Sequence, residues 1–186
     1  VQITGSIQFR KAWMKMRHEY YARAGRILLR PLTLADARRM RQLRNQNSHM
    51  FFRTEQITPE EQEKWYARYS ATENDYMFSA ILLPENQWAG AVSIYHVDQS
   101  RGHGEFGRLL IDHSATKEHG LGVDTTLAAC DFAFQTLGLS MVYLEVFADN
   151  TAAVRTYERT GFQVIEHRLE DSGRAILYME KYQAER

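Results

Sequence analysis

"KEHGLGVDTTLAACDFAF", residues 117–134, sets two glycines two apart directly before an apolar run with helical spacing. Val123, Leu127, Cys130, Phe134 and Leu137 recur at intervals of four and three, the stripe of an amphipathic helix. Gly120-Leu121-Gly122 then stands at a helix N-terminus, where the first backbone N–H groups lack intrahelical partners and the dipole favours an anion. Glycine there keeps a Cβ out of the path of a phosphate, and Lys117 adds a positive charge close by. A plain turn accounts for the same glycines, so the loop alone leaves both readings open. Cys130 lies on the apolar stripe and reads as core.

Working outward, "EFGRLLID" (105–112) enters the loop as a strand. Two further strand-like runs precede it, "YMFSAILL" (76–83) and "AGAVSIYHV" (89–97), and the turns "PENQ" and "DQSRGHG" suit antiparallel hairpins. "ILLRPLT" (27–33) reads as a first strand. Thr33 and Asp36 open a helix reaching about residue 45, and Thr58, Pro59 and Glu61 open a second that carries Trp65 and Tyr69. Downstream, "MVYLEVFA" (141–148) alternates as a strand, "TAAVRTYERT" (151–160) reads as a short helix ended by Gly161, and the remainder forms a hairpin turning at "DSG". This order is that of an α/β (α+β) domain over residues 26–186. Residues 1–25 read as a helical extension, because 8–24 put Phe9, Trp13, Met16 and Tyr20 on one face.

The 186 residues are 44% hydrophobic and 25% charged, ordinary for a soluble globular chain. A single cysteine excludes an intramolecular disulfide and a paired-cysteine metal site, and fits a reducing compartment. No apolar run approaches the ~20 residues of a membrane helix. The expected location is the cytoplasm, with no membrane partner. The zero net charge conceals an asymmetry: residues 1–53 hold twelve Lys/Arg against Glu19 and Asp36. Their helical spacing reads as solvated faces that pair with the acidic remainder. Hydrolase, zinc-protease and P-loop templates are absent, and the seven histidines show no metal-ligand spacing, so no metal is expected. Gly102-His103-Gly104-Glu105-Phe106-Gly107 matches the dinucleotide fingerprint in letters but runs into a strand, and reads as a hairpin turn.

Residues 105–162 resemble the acetyl-CoA-binding core of the GNAT acetyltransferase superfamily. The signature Q/R-x-x-G-x-G/A is matched by Lys117-Glu118-His119-Gly120-Leu121-Gly122, with lysine in place of the usual Gln or Arg. A second signature is matched by "LEVFADNTAAVRTYERTGF", with Asn150 at a strand end and Tyr157 seven residues on. The resemblance covers roughly residues 27–182. It implies a mixed, mostly antiparallel sheet flanked by helices, with strands splayed at the acetyl-CoA site. It assigns the pyrophosphate of acetyl-CoA to Lys117, His119, Gly120, Leu121, Gly122 and Val123. Pantetheine falls to the backbone at Leu110, Ile111 and Asp112, and Asn150 and Ala153 complete the co-substrate site. A backbone N–H near Ile111 becomes the oxyanion donor and Tyr157 the partner of the departing sulfur. Reference pKa values of ~8.5 for a thiol and ~10 for tyrosine make full proton transfer from Tyr157 uphill by roughly 2 kcal/mol, so hydrogen bonding to the thiolate is the alternative role.

Glu105, at the start of the strand carrying the acetyl site, is the candidate base, with His96 and His103 as secondary candidates. The acceptor pocket is expected from "RQLRNQNSHMFFRTEQIT", where Arg44, Asn45, Phe51 and Phe52 are the candidate substrate contacts and Arg53 offers a further cation. That stretch resembles both the branch acetylating ribosomal-protein N-termini and the branch acetylating nucleotide-linked amino sugars, and the amino sugar is preferred. The expected partner is thus a small-molecule amine, not a nucleic acid. A protein N-terminus or polyamine is the alternative within the enzyme class. A non-catalytic acyl-CoA-binding module with a basic docking region is the alternative outside it. A homodimer through the 8–24 helix is a further expectation.

Overall fold

The computed structural model describes residues 17–114 and 119–184. Its strands are β1 (Ala22–Ala24), β2 (Ile27–Pro31), β3 (Tyr76–Leu82), β4 (Gln87–Asp98), β5 (His103–Ile111), β6 (Met141–Phe147), β7 (Gln163–Leu169) and β8 (Ala175–Tyr182). The α-helices are α1 (Leu34–Gln46), α2 (Pro59–Ala71), α3 (Leu121–Asp131) and α4 (Thr151–Arg159). All eight strands form one sheet in the order β1-β2-β3-β4-β5-β6-β8-β7. Each neighbouring pair is antiparallel save β5 and β6, which run parallel. This is the mixed, mostly antiparallel sheet expected. Gly102 lies in the turn before β5, so the fingerprint-like glycines are indeed hairpin and strand.

Alternation along β3 creates two interiors. Met77 and Ile81 point to the side covered by α1 and α2, with Leu32, Met40, Tyr66 and Trp88. Phe78, Ala80 and Leu82 point to the other side, with Phe106, Phe132, Leu144 and the body of α3. Both anticipated capping boxes are present: Asp36 N–H donates to Thr33 Oγ1 at 3.2 Å, and Glu61 N–H to Thr58 Oγ1 at 3.2 Å. No helix among the described residues is long and apolar enough to cross a membrane.

Two expectations change. The helix read over 8–24 does not include residues 17–24, where Ala22–Ala24 pair with β2 instead. His18 is buried there against Phe78, at 4.7 Å between ring centroids, and its Nε2–H donates to Met77 O at 3.0 Å. Strand pairing and this buried ring outweigh the helical periodicity. Residues 8–16, and with them most of the expected dimer contact, lie outside the described residues. The second change concerns α3. Its buried face is Leu121, Thr125, Ala128, Ala129 and Phe132, while Val123 and Leu127 are only half-buried. Small side chains let the helix lie close to the sheet. It then widens into a π-turn over Phe132–Thr136, with Leu137 N–H donating to Phe132 O at 3.1 Å, so that Phe132, Ala133 and Phe134 are all buried in succession. Cys130 is fully buried core, as expected.

Candidate active site

β5 and β6 pair over three positions, His103 to Glu105 against Met141 to Tyr143, and then part. A bulge helps to turn β5 away. Gly107 pairs with Ser93 and Leu110 with Ala91, so β5 spends one residue more than β4 over this span. Arg108 within it takes φ 53°, the left-handed region that a non-glycine residue rarely adopts. The parted strands enclose a cleft of about 690 Å³ between Phe106 and Leu109 on one side and Leu144 and Phe147 on the other. At one end it shares Leu109, Asn150 and Ala153 with a groove of about 500 Å³ at the start of α3. At the other it shares Arg53, Trp65 and Arg108 with a chamber of about 410 Å³ under α1 and α2. Phe51 borders all three, so they adjoin one another.

The groove fits the anionic end of acetyl-CoA. Gly120 is the N-cap of α3 at φ 84° and ψ 0°, with no side chain capping the helix. The first intrahelical bond is Asp124 N–H to Gly120 O at 3.1 Å, which leaves the N–H groups of Leu121, Gly122 and Val123 outside the helical pattern, beside the groove. A Cβ on Gly120 would meet nothing within 4 Å, so the backbone conformation and not crowding calls for glycine there. A Cβ on Gly122 would stand 3.5 Å from Thr156, an ordinary contact. Arg159, in the last turn of α4, lines the same groove and went unnoticed in the sequence. His119 lines it too, and its carbonyl accepts from the Arg26 guanidinium at 2.9 Å. Lys117 lies outside the described residues. Ile111 borders the groove, and Leu110 borders both groove and chamber. Asp112 also lines the groove, but its N–H donates to Ala89 O at 2.8 Å and its carboxylate accepts from Ser114 N–H and Oγ–H at 3.0 and 2.6 Å. That amide proton serves the sheet.

Tyr157 lines the cleft from α4, its ring packed edge-on to Phe106 at 5.6 Å and Phe162 at 5.8 Å. Its hydroxyl has no hydrogen-bond partner among the described residues, and burial pushes its pKa well above the ordinary tyrosine value. Proton donation from it to a thiolate is therefore steeper than the reference values imply. Asn150 is the N-cap of α4, its Oδ1 accepting from Ala153 N–H at 3.3 Å, and both residues lie where groove and cleft meet.

Glu105 lines the cleft at the point of strand parting. One carboxylate oxygen accepts from the Tyr95 hydroxyl, and the other meets His96 Nδ1 at 2.9 Å. Burial, reinforced by the bond to Glu105, raises the pKa of Tyr95 and keeps it a donor. A carboxylate has about four acceptor positions, so capacity remains for a proton from an incoming amine. His96 reaches the cleft only through Glu105. His103 packs edge-on to Tyr143 at 5.9 Å and does not line the cleft. Arg108 stacks over the Tyr95 ring at 4.1 Å and donates to both Asp75 oxygens at 2.8 and 2.9 Å, holding this cluster from behind.

The expected acceptor residues divide by role. Asn45 accepts from Ile57 N–H at 3.0 Å and donates to Ile57 O at 2.9 Å, while Arg44 donates to the carbonyls of Arg53 and Glu55. Both are spent on fastening the 53–57 loop to α1, although Arg44 still borders chamber and cleft. Phe51 and Phe52 line the cleft, Phe52 against Phe147 at 4.5 Å between centroids. Arg174, from the β7–β8 turn, packs on Phe147 of the cleft wall. It donates to Asp149 at 2.7 and 3.0 Å and to His49 O at 3.2 Å, and lies 3.5 Å over the Phe147 ring.

The family model for the acetyltransferase (GNAT) domain matches residues 26–163. Among solved structures, the spermidine N-acetyltransferase of Vibrio cholerae in complex with CoA and spermine superposes with a TM-score of 0.77 at 23% identity, over 85% of this chain and 96% of that one. A dodecameric structure of spermidine N-acetyltransferase from the same organism, in an intermediate state, gives 0.72 at 24% identity over 85% and 94%. A GNAT-family acetyltransferase of Bacillus anthracis gives 0.73 at 15% identity over 88% and 98%. At these identities the likeness is one of fold.

Proposed function

Since the chain belongs to the GNAT acetyltransferase family, it is an N-acetyltransferase that takes its acetyl group from acetyl-CoA, and we propose that it delivers the group to a primary amine of a small molecule lodged beneath α1 and α2. The observation that carries this is the run of adjoining cavities from the uncapped N-terminus of α3, by way of the cleft between β5 and β6, to the chamber. Acetyl-CoA supplies a thioester whose carbonyl carbon is open to attack. The Gly120 loop holds its phosphates, and the free edge of β5 lines its pantetheine arm. In the cleft the amine forms the new C–N bond as the C–S bond breaks. Glu105 takes the amine proton, directly or through one water, while Tyr95 and His96 hold the carboxylate in place. Tyr157 donates a hydrogen bond to the departing thiolate, whose proton arrives from solvent or from Glu105. The non-catalytic alternative gives way to the enzyme.

Two acceptor classes compete within this reading. Resemblance along "GEFGRLLID" and "LEVFADNTAAVRTYERTGF" favours a nucleotide-linked amino sugar. Likeness of fold to spermidine N-acetyltransferases favours a polyamine, and of the two it is the polyamine that the comparisons support. The test is thiol release from acetyl-CoA against nucleotide amino sugars, spermidine and short peptides, with Tyr157→Phe in parallel. Turnover with one class, strongly reduced in the variant, is the expected result. Undiminished turnover in Tyr157→Phe would remove that residue from the mechanism.

A further inference from the structure

The chamber under α1 and α2 is furnished with hydrogen-bond donors. Five arginines border it, Arg41, Arg44, Arg53, Arg68 and Arg108, against two carboxylates, Glu55 and Glu61. Three of the arginines have structural employment: Arg41 donates to Ile57 O, Arg44 to the 53–55 carbonyls, and Arg108 to Asp75. Glu61 is committed to the N-cap of α2. The guanidinium groups of Arg53 and Arg68 have no hydrogen bond or ion pair among the described residues. Gln62 lines the same chamber, only 2% exposed, and its carboxamide nitrogen finds no partner among the described residues. A buried N–H donor left without an acceptor carries an uncompensated desolvation cost, which a ligand acceptor would remove.

We infer that this chamber is an oxyanion seat, and that the acceptor is an amine carrying a phosphate or carboxylate group. The inference rests on the acetyl-transfer reading above and names the acceptor class for it. Arg68 and Gln62 border the chamber alone, whereas Arg53 and Arg108 also border the cleft. The anion therefore sits at the Arg68 end, with Arg53 at the mouth and the amine directed past Arg108 towards Glu105. Planar guanidinium forks suit phosphate and carboxylate oxygens. A polycation in the same space would face an excess of like charge, five arginines against two carboxylates. The field of the arginines also disfavours the ammonium form of an amine nearby, and so favours the neutral nucleophile that the reaction needs.

The test has a binding arm and a kinetic arm. In the first, inorganic pyrophosphate and, separately, spermidine are titrated calorimetrically into the full chain saturated with CoA, so that the Gly120 groove is already filled. Pyrophosphate binding that weakens about tenfold or more in each of Arg53→Ala and Arg68→Ala, with no spermidine binding, is expected. Both side chains are exposed and unpaired, so an unchanged Tm accompanies the loss. In the second, thiol release is compared for ethanolamine, O-phosphoethanolamine, β-alanine and spermidine. The phosphate or the carboxylate amine should exceed ethanolamine in kcat/KM, the better of the two identifying the oxyanion, and the advantage should vanish in Arg68→Ala. Spermidine turnover indifferent to Arg53 and Arg68 would overturn the seat and leave the acetyltransferase standing. Arginine-dependent pyrophosphate binding with no amine acetylated would uphold the seat and count against the transfer reading. Pyrophosphate binding unaffected by either variant would overturn the seat outright.

Discussion

Tyr157 and Glu105 occupy opposite ends of the proton economy in the cleft. A tyrosine held in its neutral form by burial can orient and stabilise a thiolate without surrendering its proton. Tyr157→Phe is thus expected to lower kcat by roughly 10–100-fold, the range of one charge-assisted hydrogen bond, while acetyl-CoA affinity by calorimetry stays within about twofold. Glu105→Gln keeps the shape and the contact to Tyr95 but cannot accept the amine proton. The acidic limb of its kcat/KM–pH profile should flatten, and an unaltered profile would return the base to solvent. Tyr157, Asn150 and the two glycines were legible because they sit in short contiguous motifs. Tyr95, Arg108 and Gln62 were not. They reach the site through a bulge and a helix packed from elsewhere in the chain, and no local periodicity records either.

At the level of elements, the acceptor side depends on how α2 begins. Thr58 and Glu61 cap each other's backbone, and the loop that they terminate is the one that Asn45 and Arg44 fasten to α1. Thr58→Ala should cost about 1 kcal/mol and lower Tm by roughly 2–4 °C. It should also raise KM for the amine more than KM for acetyl-CoA, because the groove at α3 is untouched. Equal changes in both constants would refute that division. The caps and most strands were readable since their signals are local. β1 was not, because Ala-Arg-Ala has no strand character of its own and exists through its pairing with β2. The buried face of α3 was misread for a related reason: close packing on the sheet selects small residues, and Thr125, Ala128 and Ala129 do not stand out in a hydrophobic pattern.

At the scale of the whole molecule, His18 links the first described residues to the core. Burial lowers its pKa to about 4, so the folded chain keeps the ring neutral, with Nε2–H on Met77 O and Nδ1 accepting from Tyr20 N–H at 3.3 Å. Between about pH 6.5 and 4 the unfolded chain binds a proton here that the native state does not. Stability is thus full above this window and is lost as pH falls through it, by an amount on the order of 3 kcal/mol. Tm followed from pH 7.5 to 4.5 should fall more steeply in the parent than in His18→Gln, and parallel curves would contradict the assignment. The three-position pairing of β5 with β6 has a mechanical corollary. The sheet is two leaves, β1–β5 and β6–β8, joined by a short spine that is its weakest line against bending. In the pose proposed above, a co-substrate between the leaves acts as a splint as well as a reactant: at a hundred times its Kd it should add about 2.7 kcal/mol to the folded state. Amide exchange along the facing edges of the two leaves should slow together when CoA binds.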